Sequence, residues 1–312
     1  NQFGGKIGGP LPLPGFGEGG PMFVKDKGFF FFNYEKIIDP LSGGATRTIL
    51  TPTARNGAFQ YTRAVAGPAI NTTIGTANVT CPATTTNNTG TCVISNILGF
   101  AQGTSFSGFP NPNIPTAINP IIQSRIISRI PTQGNTTTVG DGLNTTGYFI
   151  NRRSDQERST YTGRIDVDLD DRNTINGVYS YNFETNLRPD VDANGYDPQP
   201  QADQIAKNKT LSLSYRRIFS STFVNEVRGG LFFSDVPFRR TAALPEYMLA
   251  VQLVTSPETN FTDQGRAPRY WTLQDNVDWI IGKHNLRFGG QLQSYDITSY
   301  NFGNGIPTTT PG

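Results

Sequence analysis

"STYTGRIDVDLDDRNTINGVYSYNF", residues 159–183, reads as a strand, a tight turn and a returning strand. Successive side chains of a strand point to opposite faces. Tyr161, Gly163, Ile165, Val167 and Leu169 therefore share one face, and Thr162, Arg164, Asp166 and Asp168 share the other. Asp171-Arg172-Asn173 supplies the turn chemistry. The return strand alternates Ile175, Gly177, Tyr179, Tyr181 and Phe183 against Thr174, Asn176, Ser180 and Asn182.

The figure recurs twice. In "KTLSLSYRRIFSSTFVNEVRGGLFF" (209–233), Leu211, Leu213 and Tyr215 oppose Ser212, Ser214 and Arg216. A turn at Ser220-Ser221 leads to Phe223, Val227, Leu231 and Phe233, opposite Glu226 and Arg228. In "YWTLQDNVDWIIGKHNLRFGGQLQSYDI" (270–297), Leu273, Val277, Trp279 and Ile281 oppose Gln274, Asn276 and Asp278. After a turn at Gly282-Lys283-His284-Asn285, Leu286, Phe288 and Leu292 oppose Arg287, Gln291 and Gln293.

Between the hairpins lie long Pro-, Gly-, Asn- and Thr-rich segments without a period, at 36–158, 185–205 and 235–269. Structureless loops of that length count against a compact water-soluble domain. Strands of about ten residues, with short turns at one end and long loops at the other, are the pattern of an outer-membrane barrel. Its outside is apolar because it touches lipid, and its inside is polar because a wide lumen holds water. Only a closed barrel satisfies strand hydrogen bonds in hydrocarbon.

Composition agrees. The 312 residues include 34 Gly, 21 Phe and 12 Tyr, and only 16% are charged, against about a quarter in ordinary domains. The mean hydropathy is -0.37. No apolar run reaches the roughly 18 residues of a membrane-spanning helix, so a membrane role must come through strands. The net charge of +2 argues against an electrostatic nucleic-acid partner.

"VKDKGFFFFNYEK" (24–36) fits the same scheme. Phe30, Phe32 and Tyr34 share one face, the outer aromatic girdle. Phe29 and Phe31 point the other way with Asn33 and Glu35, and call for an apolar neighbour inside the lumen. With "NQFGGKIGG" at the N-terminus, about eight strands are expected. The fold class is all-β, a partial transmembrane antiparallel β-barrel with long extracellular loops and short periplasmic turns. Chain ends at Asn1 and at "GIPTTTPG" read as those of a fragment. Cys81 and Cys92, in "TCPATTTNNTGTC", read as a local disulfide in an oxidising place, the alternative being two free thiols.

"NQFGGKIGGP" (1–10) followed by "KDKGFFFFNYE" (25–35) resembles the opening barrel strands of Oar-like TonB-dependent receptors. "TPTARNGAF", "IPTAINPIIQSRIISRIP", "GRIDVDLDDRNTINGVYSY", "FVNEVRGGLFFS" and "LQDNVDWIIGKHNLRFGGQLQ" follow in family order. The resemblance implies an energy-coupled outer-membrane transporter of a large solute. A TonB-type energy-coupling protein would act through a plug inside a wide barrel. It implies that 1–312 is one partial barrel containing the loop 36–158, with the plug, the N-terminal domain and later strands lying elsewhere. "LPLPGFGEGGPMFV" (11–24) lengthens the turn before "KDK" relative to the family pattern.

Candidate sites are few. "DVDANGYDPQPQ" (190–201) puts Asp190, Asp192, Asn194 and Gly195 at positions 1, 3, 5 and 6 of a calcium loop, with the Tyr196 carbonyl at position 7. Position 12 is Gln201 instead of Glu, and an acidic solvated loop is the plain reading. Ca²⁺ is the one cofactor this suggests. "GFGEGG" (15–20) matches a dinucleotide-binding pattern but lacks the flanking strand and helix, and reads as a turn. Arg164, Asp166, Asp168, Arg216, Glu226, Arg228, Gln274 and Asp278 form the expected lumen-facing polar row. The single histidine, His284, falls in a turn, and no nucleophile elbow or phosphate loop occurs. The chain is therefore expected not to be an enzyme.

The rival is a secreted β-rich adhesion or carbohydrate-binding protein, whose sheets bury their apolar faces against each other. Exposure of Tyr161, Ile165, Leu211, Leu213, Val277, Trp279, Leu286 and Phe288 separates the two.

Overall fold

The computed structural model describes residues 1–11, 13–14, 23–24, 27–103, 105–106, 109–110, 114–115, 117–192, 195–303 and 307–309. The "GFGEGG" stretch and most of the lengthened turn lie outside them. The principal strands are, in chain order, β1 (Gln2–Pro10), β2 (Gly28–Asp39), β3 (Ser42–Leu50), β4 (Phe59–Thr62), β5 (Ile70–Ile74), β6 (Ala77–Cys81) and β7 (Thr91–Ile94). They continue with β8 (Thr145–Arg153), β9 (Gln156–Asp170), β10 (Asn173–Leu187), β11 (Ala202–Ser220), β12 (Phe223–Arg240), β13 (Gln264–Ile281) and β14 (His284–Asn301).

Eight of them form one antiparallel sheet in the order β1-β2-β9-β10-β11-β12-β13-β14. The sheet is open. β14 borders β13 alone among the described residues, and all of its residues are exposed.

Register makes the two faces continuous, because directly paired residues point the same way. One row runs Gly9, Phe30, Ile165, Gly177, Leu213, Gly229, Leu273, Leu292 across all eight strands. The next row on the other face runs Phe29, Asp166, Asn176, Ser214, Arg228, Gln274, Gln291. The apolar face has no cover. Ile165 and Leu213 are each 49% exposed and Phe288 55%. Tyr161, Trp279 and Leu286 are exposed too, and Leu211 and Val277 are half-buried. A sandwich core would bury all eight, so the rival packing is not adopted.

Three hairpins close with two-residue turns at one end of the sheet: 171–172, 221–222 and 282–283. The first and third turns are tighter than the sequence suggests and the second is shifted by one residue, and His284 and Asn285 already belong to β14. Gly282 takes a φ of +58°, a left-handed conformation that suits glycine. At the opposite end the connections are 40–155, 188–201 and 241–263. We call these three the crown.

Two expectations need correction. The strands β9 to β14 run 15 to 19 residues instead of about ten. At about 3.3 Å per residue that is well beyond the 9–11 residues that cross a bilayer. The strands therefore continue past the membrane, into what the sequence reads as loop. Second, the long segment is not structureless. β3 pairs with β8 along nine residues, and β4-β7-β6-β5 form a small sheet. Loss of a simple period reflects several short elements packed together, each too brief to establish one.

The crown holds most of the buried hydrophobic side chains. Ile49, Ile126 and Ile130 form one cluster, and Ala77, Val79 and Ile94 another. Beside the second, Cys81 and Cys92 are joined at an S–S distance of 2.12 Å. The crown also settles which face is inner. At the crown end of the wall Asn186, Ala202, Ala206, Ser234 and Val236 are buried, and register puts all five on the polar face. The crown thus folds over the polar side and leaves the apolar side bare.

Candidate functional site

The site begins with the polar inner face. Arg164, Asp166, Asp168, Arg216, Glu226, Arg228, Gln274 and Asp278 all project from it. Many of its charges pair locally. Arg164 donates to Asp166 at 2.7 and 2.8 Å, Arg228 donates to Glu226 at 2.9 and 3.0 Å, and Arg287 lies 2.5 Å from Asp278. Asp168 accepts from the Thr174 hydroxyl at 3.0 Å, and Asn176 donates to Asp166 at 2.5 Å. These pairs are half in water, so each contributes little stability. Their effect is to line the wall with hydrogen-bonding groups of both signs. Phe29 and Phe31 stand on this same face, beside Asp166 and Arg164.

Above the wall, the three crown connections meet around a cavity of about 450 Å³. Arg152 (β8) and Arg129 come from the first connection. Asp192, Tyr196, Asp197 and Gln201 come from the second, and Pro257 from the third. Arg152 and Asp192 hold it together. Their side chains are each 1% exposed and meet at 2.6 Å. Arg152 also donates to the Asp192 carbonyl and, at 3.1 Å, to the Asp197 carbonyl. Asp192 Oδ2 accepts the Gln201 backbone N–H at 2.7 Å, while its Oδ1 has no partner among the described residues. A buried charge pair of this kind is strongly destabilised by removal of either half.

Tyr196 locks the second connection to the other two. Its hydroxyl donates to the Thr255 carbonyl at 2.8 Å and lies 3.2 Å from that of Thr48. Burial pushes the phenol up to about 12, so it stays a donor at any physiological pH. Burial likewise lowers the Arg47 guanidinium, with Arg152 as a second cause. On the far side Arg125 grips Glu258 through two bonds of 2.8 and 2.6 Å.

Two carboxylates of the calcium-loop pattern are engaged by arginines. Asp190 is held by Arg188 at 2.5 Å, and Asp192 by Arg152. Each carboxylate is already neutralised by a guanidinium, and they face different partners instead of one centre. Asn194 lies outside the described residues. Among the described residues no group of three His, Cys, Asp or Glu is placed to hold a metal ion. The arginines are what the sequence pattern misses, because Arg152 lies 40 positions away from Asp192.

A bare apolar face backed by a polar face describes a wall that meets hydrocarbon on one side. The family description "Outer membrane beta barrel domain" matches residues 1–310. The chain belongs to that family. Comparison with curated proteins and with solved structures gives no match.

As an outer-membrane barrel domain it sits in the cell outer membrane, and its bare face is the lipid face. Tyr34, Tyr161 and Tyr181 lie side by side there, with ring centroids 4.9 and 6.1 Å apart. The chain's two tryptophans, Trp271 and Trp279, both project from this face of β13. Eight residues separate them, roughly 20 Å along the membrane normal at the usual strand tilt. That spacing suits the two interfacial belts. Midway between them stands Asp275, paired with Val227 and Gly290 on the same face. Its carboxylate accepts a hydrogen bond from Asn225. The sequence alternation passes over it: one polar residue does not disturb the period of an apolar face.

Proposed function

We propose that this barrel domain is part of an energy-coupled receptor of the Oar-like TonB-dependent type, importing a large solute captured on the crown side. One observation carries the reading: three separate connections fold over the inner face and share a polar cavity of about 450 Å³ at their junction. A passive pore does not need so much ordered chain at its mouth. The ordered motif series of the sequence supports the family subtype. Phe29 and Phe31 support it as well, as an apolar seat on the inner wall for a plug. The crown faces the cell exterior and selects the solute. A TonB-type protein in the inner membrane pulls on the plug to release it. No catalytic step belongs to this scheme.

Uptake measured in cells carrying the intact gene tests it. A labelled panel of oligosaccharides and peptides too large for general porins would be followed with and without the TonB-type protein. The expected result is accumulation of at least one panel member that is abolished when either the gene or the coupling protein is removed. Accumulation indifferent to the coupling protein would refute energy coupling.

A further inference from the structure

The inner wall carries a group of rings that the charge pairs do not explain. Phe232 (β12), Tyr270 (β13) and Tyr295 (β14) are direct neighbours on the polar face. Phe232 and Tyr270 stack at 4.8 Å with 23° between their planes, and Tyr295 continues at 5.7 Å and 41°. Cross-strand aromatic pairs stabilise a sheet, and that accounts for the first two. Tyr295, on the last strand of the described sheet, extends that pair into a row of three rings on the inner face.

The rows next to the rings are neutral. On β11 to β14 the ring row also holds Thr210, the row below holds Ser212, Gly230, Thr272 and Gln293, and the row above Asn208, Ser234, Pro268 and Ile297. No charged side chain falls in these three rows on the four strands. Four to six residue pairs further toward the crown, the ends of the same strands open a hollow of about 360 Å³ lined by Phe238, Gln264, Arg266, Ser299 and Asn301, together with Gly265 and Tyr300 of the other face. Flat apolar ring faces beside hydroxyl and amide groups match one ligand chemistry well. The C–H face of a sugar ring packs on an aromatic ring, and its hydroxyls need partners that both donate and accept, which Gln and Thr supply. A few placed polar groups on an apolar platform are the usual makeup of a ligand site.

We infer that this strip, from the Phe232–Tyr270–Tyr295 platform up to the Gln264–Asn301 hollow, binds a neutral oligosaccharide. The inference rests on the reading of the inner face as a solute path, and names the class of solute that path takes.

The test is binding by the purified protein in amphipol, with maltohexaose, cellohexaose and mannohexaose as probes. Saturation-transfer NMR detects contact and calorimetry gives Kd. At least one probe binds the unmodified protein. Tyr295→Ala and Tyr270→Ala weaken its Kd by about tenfold or more, while Tyr270→Phe stays within about threefold. Tyr179→Ala, on the lipid face, leaves Kd unchanged. The melting temperature of each variant, unchanged where only binding is lost, separates a binding loss from a folding loss. Failure of all three sugars to bind, or wild-type binding by Tyr295→Ala, overturns the inference. Binding that depends on these tyrosines in a protein whose uptake ignores the coupling protein would keep the site and remove the transport reading.

Discussion

Wall and crown use the same apolar residues in opposite ways. In the wall, Ile165, Leu213 and Leu273 are nearly half exposed. In the crown, Ile49, Ile126 and Ile130 are at most 3% exposed. Burial is a relation to solvent. Crown side chains escape water by packing on one another, while wall side chains escape it by meeting lipid. Polar groups invert with them. The wall sets its Arg164–Asp166, Glu226–Arg228 and Asp278–Arg287 pairs on the wet side, whereas the crown buries an entire ion pair.

The largest expected effect tests the crown's half of that contrast. Arg152→Ala leaves Asp192 charged and buried, and should cost about 3–5 kcal/mol. Hydrogen exchange or limited proteolysis should find the three connections loosened while the wall stays protected. A paired Arg152→Met and Asp192→Leu replacement should recover much of the loss. If the single variant keeps wild-type protection, the ion pair does not hold the crown.

Next comes the wall. Leu213→Lys should cost about 2–4 kcal/mol in a bilayer, read by denaturant unfolding from lipid vesicles, because it sets a charge against hydrocarbon. An unchanged midpoint would place Leu213 in water. The reverse substitution is smaller and opposite in sign. Asp275→Leu should stabilise the vesicle-bound protein by about 1–2 kcal/mol, since it removes a carboxylate from the lipid face. Destabilisation would mean that Asp275 has a role in the membrane that the wall alone does not reveal.

The smallest effect concerns pH. Burial alone would raise the carboxyl of Asp141, in the crown. The backbone N–H groups of Thr145, Asn144 and Leu143, with the Thr145 hydroxyl, outweigh burial and hold it well below the usual range. A depressed folded value stabilises the folded loop above the unfolded carboxylate pKa of about 3.9. That stability is lost as pH falls below it. Exchange of the 141–145 amides should speed up through this acid range in the wild type and much less in Asp141→Asn. Equal acid sensitivity in both would show that the loop does not depend on that carboxylate.

The wall was legible in the sequence because its physics is periodic. Alternation in 159–183, 209–233 and 270–297 marks the paired strands, and the polar row emerges on one face as those periods imply. Strand ends were not legible. Past the bilayer the inner side is covered by the crown, so Ala202, Ala206 and Val236 blur the alternation. The crown was legible only at Cys81 and Cys92, where sequence proximity and spatial proximity coincide. Its central contact joins Arg152 to Asp192, residues that only the fold brings together. Asp192 did stand out in the sequence, but as a cation ligand, because a carboxylate carries no mark of which positive charge it will meet. The aromatic trio was missed for the same reason. Phe232, Tyr270 and Tyr295 sit on three strands, and only register makes them neighbours.

Trp271 and Trp279 give the most direct test of the central claim, that the apolar face of the wall looks out at lipid. They are the chain's only tryptophans and both lie on that face, so the unmodified protein in vesicles carries its own probe. Lipids brominated along the acyl chain should quench most of its tryptophan emission, and aqueous acrylamide very little. Efficient quenching by acrylamide with none by the brominated lipids would contradict the account.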